Sequence, residues 1–285
     1  MRSDQKPIHY PSQGFSLLKQ LTALLGWTRS SYYLMSAFVA IIFLIIIVWW
    51  PLAEEYLSYI DNHYPIWLQI DWLLLGIFAV MSLLIMAGAN IKADAWIVIV
   101  GLFGGLVIES WGTQTNLWIY YTNERPPLWI IPAWPIASLS IDRIVHFLNR
   151  RLPSQPIILF RVAYWLTFTG FYTLMIFFAQ HTFDKSLTWM ALLLCALLIL
   201  SPTDHRLAVF TFVSGSGLGY FLELWGTTRA CWTYYTLQTP PLFAILAHGF
   251  AAVAFWRGGL LTKKILITLS RRTGLGKSFG TLFEN

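Results

Sequence analysis

Long apolar runs separated by short polar segments occupy most of this chain, at residues 33–51, 67–88, 95–112, 129–147, 157–180, 187–202, 207–225 and 240–260. A helix crosses a hydrocarbon layer of about 30 Å in roughly 20 residues, so the pattern predicts eight transmembrane helices. The sixth run is the shortest and stops at Pro202, a residue that removes a helix hydrogen bond. Ahead of the first run, Phe15, Leu17, Leu18, Leu21, Leu24 and Leu25 recur at helical spacing opposite Lys19 and Gln20. This predicts an interfacial amphipathic helix within a cytoplasmic segment, 1–32. The segment lacks the layout of a cleavable leader, so the first apolar run reads as a signal anchor.

Composition agrees with an all-α integral membrane protein: of 285 residues, 57% are hydrophobic and only 11% charged, beyond the range of a soluble domain. Charge sets the expected orientation. With the N-terminus inside, 16 of the 19 Lys and Arg fall in or beside inner segments and only Arg125, Lys185 and Arg229 lie outside, as the positive-inside rule requires. The outer segments hold Glu54, Glu55, Asp61, Glu124 and Asp184. Both termini are therefore expected in the cytoplasm of a bacterial inner membrane, and 261–285 reads as a basic cytoplasmic tail. The net charge of +6 is a topological signature and implies no nucleic-acid partner.

The chain also repeats itself. ESWGTQTNLWIYYTNERPPL at 109–128 returns 114 positions later as ELWGTTRACWTYYTLQTPPL at 223–242, identical at 11 of 20 places without a gap. The offset extends outward: Gly101 and Gly105 align with Gly215 and Gly219, and Asp142-Arg143 with Trp256-Arg257. Residues 33–147 and 157–260 are thus expected to be two four-helix units. An even helix count sends both into the membrane in the same direction, a parallel 4+4 repeat about an axis along the membrane normal. Small residues four apart let helix backbones approach closely, so the third and seventh spans are expected to meet at these glycines, with Gly104 and Gly217 extending the thin face and Ser214 and Ser216 available for an interhelical hydrogen bond. Gly112 and Gly226 read as C-cap glycines. The Pro pairs at 126–127 and 240–241 keep each following connector non-helical, as an ordered, partly extended lid.

The repeated letters carry the candidate chemistry. Glu109 and Glu223 stand one turn before the ends of symmetry-related helices, and Asp71 lies at similar depth in the second span, where the other copy has a position near Thr188. A carboxylate in hydrocarbon costs a few kcal/mol, so such acids face a protein interior or a hydrated pocket, where a carboxyl can hold a proton. The plainer alternative puts both glutamates in hydrated headgroups. Trp111, Trp118, Tyr120 and Tyr121, with Trp225, Trp232, Tyr234 and Tyr235, are expected to wall the cavity and bind substrate. Aromatics gather at any membrane interface, but fixed W-x-YYT spacing on both sides of an axis fits a pocket whose π-faces stabilise a cation. His146 and His248 read as packed histidines at inequivalent positions, since His248 aligns with Trp134. Cys195 and Cys231 provide no disulfide framework. The terminal TGLGKS has Arg271 where a phosphate loop needs glycine,. No cofactor or metal site is expected.

An acid in an apolar, aromatic cavity can protonate an alkene and hold the resulting cation. The E-x-W-G-T-x-x-x-x-W-x-Y-Y-T signature, with PPL and the later Pro132 and Pro135, resembles the membrane carotenoid hydratases of the bisanhydrobacterioruberin hydratase type. That resemblance, over about 40 residues per copy, implies addition of water across a terminal double bond of a linear carotenoid. It makes Glu109 the acid, with Trp111, Gly112, Thr113, Tyr120 and Pro132 in the motif. The chain departs from the family pattern at Asn116, Leu117 and Trp118, and the second copy has Leu246 and Gly249 in place of the later prolines. The expected function is acid-catalysed protonation of a double bond in an isoprenoid or carotenoid-like membrane lipid, ending in hydration or cyclisation. The alternatives are a non-catalytic subunit of a membrane complex, a homo-oligomer included, and a lipid carrier. A transport path would need polar residues over its full depth, whereas the charges here cluster at the outer level.

Overall fold

A computed structural model describes residues 26–153 and 155–272. The amphipathic segment at 14–27 and the TGLGKS segment lie wholly or almost wholly outside the described residues. Nine α-helices are present among those described: α1 (Arg29–Val48), α2 (Trp50–Ser58), α3 (Trp72–Met86), α4 (Ile91–Gln114), α5 (Ala133–Arg151), α6 (Ile157–Ala179), α7 (Ser186–Leu200), α8 (His205–Thr228) and α9 (Leu242–Arg272). Two three-residue strands, β1 (Trp118–Tyr120) and β2 (Trp232–Tyr234), complete the fold.

Five segments are long and apolar enough to cross a membrane: Arg29–Val48, Ile91–Gln114, Ile157–Thr182, His205–Thr228 and Leu242–Ile265. By length and composition this is a helical membrane protein. Three of the eight expected spans fall short of that standard. α3 and α7 are apolar but only 15 residues each, about 22 Å at the helical rise. α5 is long enough, but it carries Ser138, Ser140, Asp142 and Arg143 and sits in the middle of the bundle, against α3, α4, α8 and α9. A helix surrounded by protein has no need of an apolar surface. The additional helix, α2, continues α1 after a break at Trp49, with Pro51 in its first turn, where proline fits.

Side-chain caps start the helices that frame the candidate site. Asp71 accepts from Leu74 N, Asn90 from Lys92 N and Ala93 N, and Asp204 from Leu207 N, each satisfying an otherwise orphaned amide. Among the described residues the main core lies between α6, α8 and α9, where Phe171, Phe178 and Phe243 stack and Phe168, Phe212 and Phe250 close around them. A smaller cluster of Phe38, Ile77, Met81, Ile85, Ile136 and Leu139 joins α1, α3 and α5.

The glycines do not act as expected. α4 and α8 do not form the main interface: α4 packs on α5 and α9, and α8 on α5 and α9. A Cβ on Gly105 would lie 2.4 Å from the Trp134 ring, and one on Gly219 would lie 2.4 Å from His248 Cβ. Gly101 meets the Pro135 backbone and Gly215 that of Gly249. Each glycine pair thus admits the next helix of its own copy. Gly104 receives the Phe255 ring, whereas Gly217 faces open space. Ser214 and Ser216 have no hydrogen-bond partner among the described residues.

Candidate active site

Each glutamate is the centre of a three-partner clamp. Glu109, buried on α4, accepts from Trp118 Nε1 at 3.0 Å, Tyr120 Oη at 2.9 Å and Trp134 Nε1 at 3.2 Å. Glu223, buried on α8, accepts from Trp232 Nε1 at 2.9 Å and Tyr234 Oη at 2.9 Å, and its third partner is His248 Nε2 at 2.9 Å. The offset of 114 relates every one of these positions to its counterpart. Burial pushes the Tyr120 and Tyr234 phenols well above their ordinary value, so both stay protonated and donate. Neither acid is in bulk water: their relative exposures are 3% and 4%.

The backbone brings the donors round to the acids. α4 ends with Asn116 at φ 60° and α8 with Ala230 at φ 54°. Leu117 N donates to Gly112 O at 2.9 Å and Cys231 N to Gly226 O at 2.9 Å, the six-to-one bond of a Schellman ending. Gly112 and Gly226 are therefore not the left-handed caps: they lie one turn inside, and their reason is space. A Cβ would fall 1.9 Å from the Trp118 ring at the first and 2.0 Å from the Trp232 ring at the second. Each indole passes close over its glycine to reach the acid one turn earlier.

After this reversal the strands pair with each other. β1 and β2 are antiparallel, with Trp118 opposite Tyr234, Ile119 opposite Thr233 and Tyr120 opposite Trp232. Both helix ends lead into this one ribbon. The second tyrosine of each pair reaches elsewhere: Tyr121 Oη donates to Val48 O at the end of α1, and Tyr235 Oη to Phe178 O near the end of α6 at 2.7 Å. Trp111 and Trp225 reach across to the other copy. Trp111 Nε1 lies 3.4 Å from Thr188 Oγ1, while Trp225 Nε1 donates to Asp71 Oδ2 at 2.9 Å. Asp71 and Thr188 thus occupy matching places, but only Asp71 has a cation, Arg229 at 3.0 Å.

A cavity of about 900 Å³ opens beside the clamps. Glu109, Glu223, Trp118, Tyr120, Trp232, Tyr234, Trp134 and His248 lie at one end, and mostly apolar side chains of α4, α5, α6, α7 and α9 form much of the rest. It follows α4 from Trp111 to Trp96, roughly 20 Å along the helix. It coincides with a difference between the copies: α3 packs on α5 and α8, whereas its counterpart α7 packs on α4 and α6 and has no comparable packing against α9. A second cavity of about 320 Å³ shares Trp96, Val100 and Phe255 with the first and contains Asp142, His146, Asn149 and Lys263. Beside it Arg143 grips buried Asp94 with both oxygens at 2.8 Å and Asp142 at 2.8 Å.

The structure therefore brings Glu109, Glu223, Trp111, Trp118, Tyr120, Trp232 and Tyr234 to one cavity. Asp71, Tyr121, Trp225 and Tyr235 do not line it: Asp71 caps α3 and pairs with Arg229, and the two tyrosines tether the ribbon to α1 and α6. Two site residues escaped the sequence reading, Trp134 and His248, which stack at 5.4 Å with their planes 19° apart. Their shared offset was the available signal. Among the described residues no three His, Cys, Asp or Glu side chains gather as a metal site would need. No protein-family model, curated protein or solved structure matches this chain.

Proposed function

We propose that this protein is a multi-pass enzyme of a bacterial inner membrane that binds an isoprenoid or carotenoid-like lipid and protonates one of its double bonds, with hydration or cyclisation following. The arrangement is read as eight spans in a parallel 4+4 repeat with both termini cytoplasmic. The observation that carries this reading is an elongated apolar groove that ends on two buried carboxyl groups among tryptophans and tyrosines. Such a groove suits a long hydrocarbon ligand, and its acid end supplies the polar groups that proton transfer needs.

In the proposed step, an acid of the pair gives a proton to one alkene carbon and the neighbouring carbon becomes cationic. The faces of Trp118, Trp232, Tyr120 and Tyr234 stabilise that charge. Water adds and returns a proton to the acid, or a second double bond closes a ring and a proton is lost to it. The test is the lipid extract of cells with and without the chain, resolved by mass. Hydration appears as a species heavier by one water and cyclisation as an isomer of altered retention. Identical extracts count against catalysis.

Two observations favour a non-catalytic reading, as a complex subunit or a lipid carrier. Each carboxyl group has three protein partners, an arrangement that also serves to fix a loop. The polar cavity around Asp142 and His146 adds groups at the opposite end of the groove, as a carrier would require. Unchanged lipid chemistry with altered lipid distribution across the membrane would select it.

A further inference from the structure

The two clamps match in shape but not in chemistry. Around Glu109 two partners are indole N–H groups, which only donate, and the third is a tyrosine whose proton is firmly held. Around Glu223 one indole is replaced by His248, whose imidazole has two ring nitrogens and so can both donate and accept. Its Nε2 is engaged by Glu223 at 2.9 Å. Its Nδ1 has no hydrogen-bond partner among the described residues, and the side chain borders the cavity. The ring is held on two other sides, by the stack on Trp134 and by Gly219 beneath its Cβ.

We infer that the duplicated site has divided its labour: His248, oriented by Glu223, gives and takes the proton in the cavity, while Glu109 holds the ribbon in place. This inference rests on the enzymatic reading above and replaces its carboxyl donor by the imidazole that Glu223 orients. An imidazolium releases the Nδ1 proton to the ligand and keeps Nε2–H on the Glu223 carboxylate, which balances the charge before release. The neutral ring then recovers a proton from the water that adds or from the ring-closed cation, and no oxidant or reductant is required. The first copy has no equivalent, because an indole in place of the imidazole has no second nitrogen.

The test exchanges the two residues. His248→Trp installs the side chain that the first copy already packs against its matching glycine, Gly105, and it retains an N–H for Glu223. His248→Gln is smaller and covers the case in which tryptophan overfills the position. Trp134→His combined with His248→Trp moves the imidazole to the other half. Each variant is produced at matched membrane levels, its unfolding temperature is measured in detergent, and cellular lipids are resolved by mass. Both single variants are expected to fold and to lose the wild-type lipid product by about 100-fold or more, the scale of a missing acid–base group, and the double exchange to restore part of it. Either folded single variant retaining the product at near wild-type level would overturn the assignment. A wild-type extract indistinguishable from that of cells lacking the chain would instead remove the enzymatic reading itself.

Discussion

The Trp118 indole lies directly on Gly112, six residues before it, so closely that a Cβ at Gly112 would fall 1.9 Å from ring carbon Cη2. Gly226 and Trp232 repeat this contact at 2.0 Å. The ring cannot retreat without leaving the carboxylate it serves. Gly112→Ala and Gly226→Ala are each expected to cost about 1–3 kcal/mol, the usual penalty for overfilling a packed site. Thermal unfolding in detergent, with tryptophan emission reporting the displaced indole, measures it. Gly217→Ala, at a position facing open space, is the control and should change little.

Replacing the acids by amides should separate the two copies. In Glu109→Gln, either amide orientation points an NH₂ at an indole N–H, Trp118 on one side or Trp134 on the other. A donor facing a buried donor costs about 1–3 kcal/mol. In Glu223→Gln the oxygen can serve Trp232 while the NH₂ faces Tyr234 and His248, both able to accept. Glu109→Gln is therefore expected to lower the unfolding temperature clearly more than Glu223→Gln. Equal losses would show that charge, rather than donor matching, dominates these clamps.

Ala230 holds φ 54° where the first copy has Asn116 at φ 60°. A left-handed conformation costs an ordinary L-residue roughly 1–2 kcal/mol, and glycine adopts it freely. Ala230→Gly should accordingly raise stability by about 1 kcal/mol, seen as a higher unfolding temperature, and Asn116→Ala should lower it.

Ala247 lines the groove close to the clamps. Ala247→Phe should occupy space meant for ligand while leaving the protein folded. The expected result is loss of the lipid product with little change in unfolding temperature. Unaltered product would place the ligand elsewhere.

Orientation can be checked with single cysteines in a background lacking Cys195 and Cys231. Asn123 and Lys264 are both exposed and lie at opposite ends of the fold. Asn123→Cys should react with an impermeant maleimide from outside the cell, and Lys264→Cys only after the membrane is opened. The reverse pattern would invert the topology.

The paired glutamates and their W-x-Y partners could be found in the sequence because they recur as identical letters at one offset. Trp134 and His248 could not be found that way. They share a place that letters do not encode: each is a flat ring that sets a ring nitrogen against the equivalent carboxylate oxygen, so the structural place is common while the residue differs. The glycines gave a similar partial signal. Spacing by four established that something approaches Gly101, Gly105, Gly215 and Gly219, but it could not say that the visitor is the next helix of the same copy. The groove had no sequence signature, because it goes with where α7 settles, and a 15-residue apolar helix reads the same whether it closes a gap or leaves one.

The strand pairing in the ribbon bears on the history of the chain. Each acid draws its indole and phenol from its own copy, yet among the described residues the strand carrying them finds its ladder partner in the other. Half of the chain by itself would leave its strand edge open, and pairing with the other half closes it. The repeat is the arrangement that two copies of one unit, joined in a single polypeptide, would leave. Once joined, the halves no longer had to be identical, and a tryptophan facing a histidine is a pairing that no self-associating ancestor could encode.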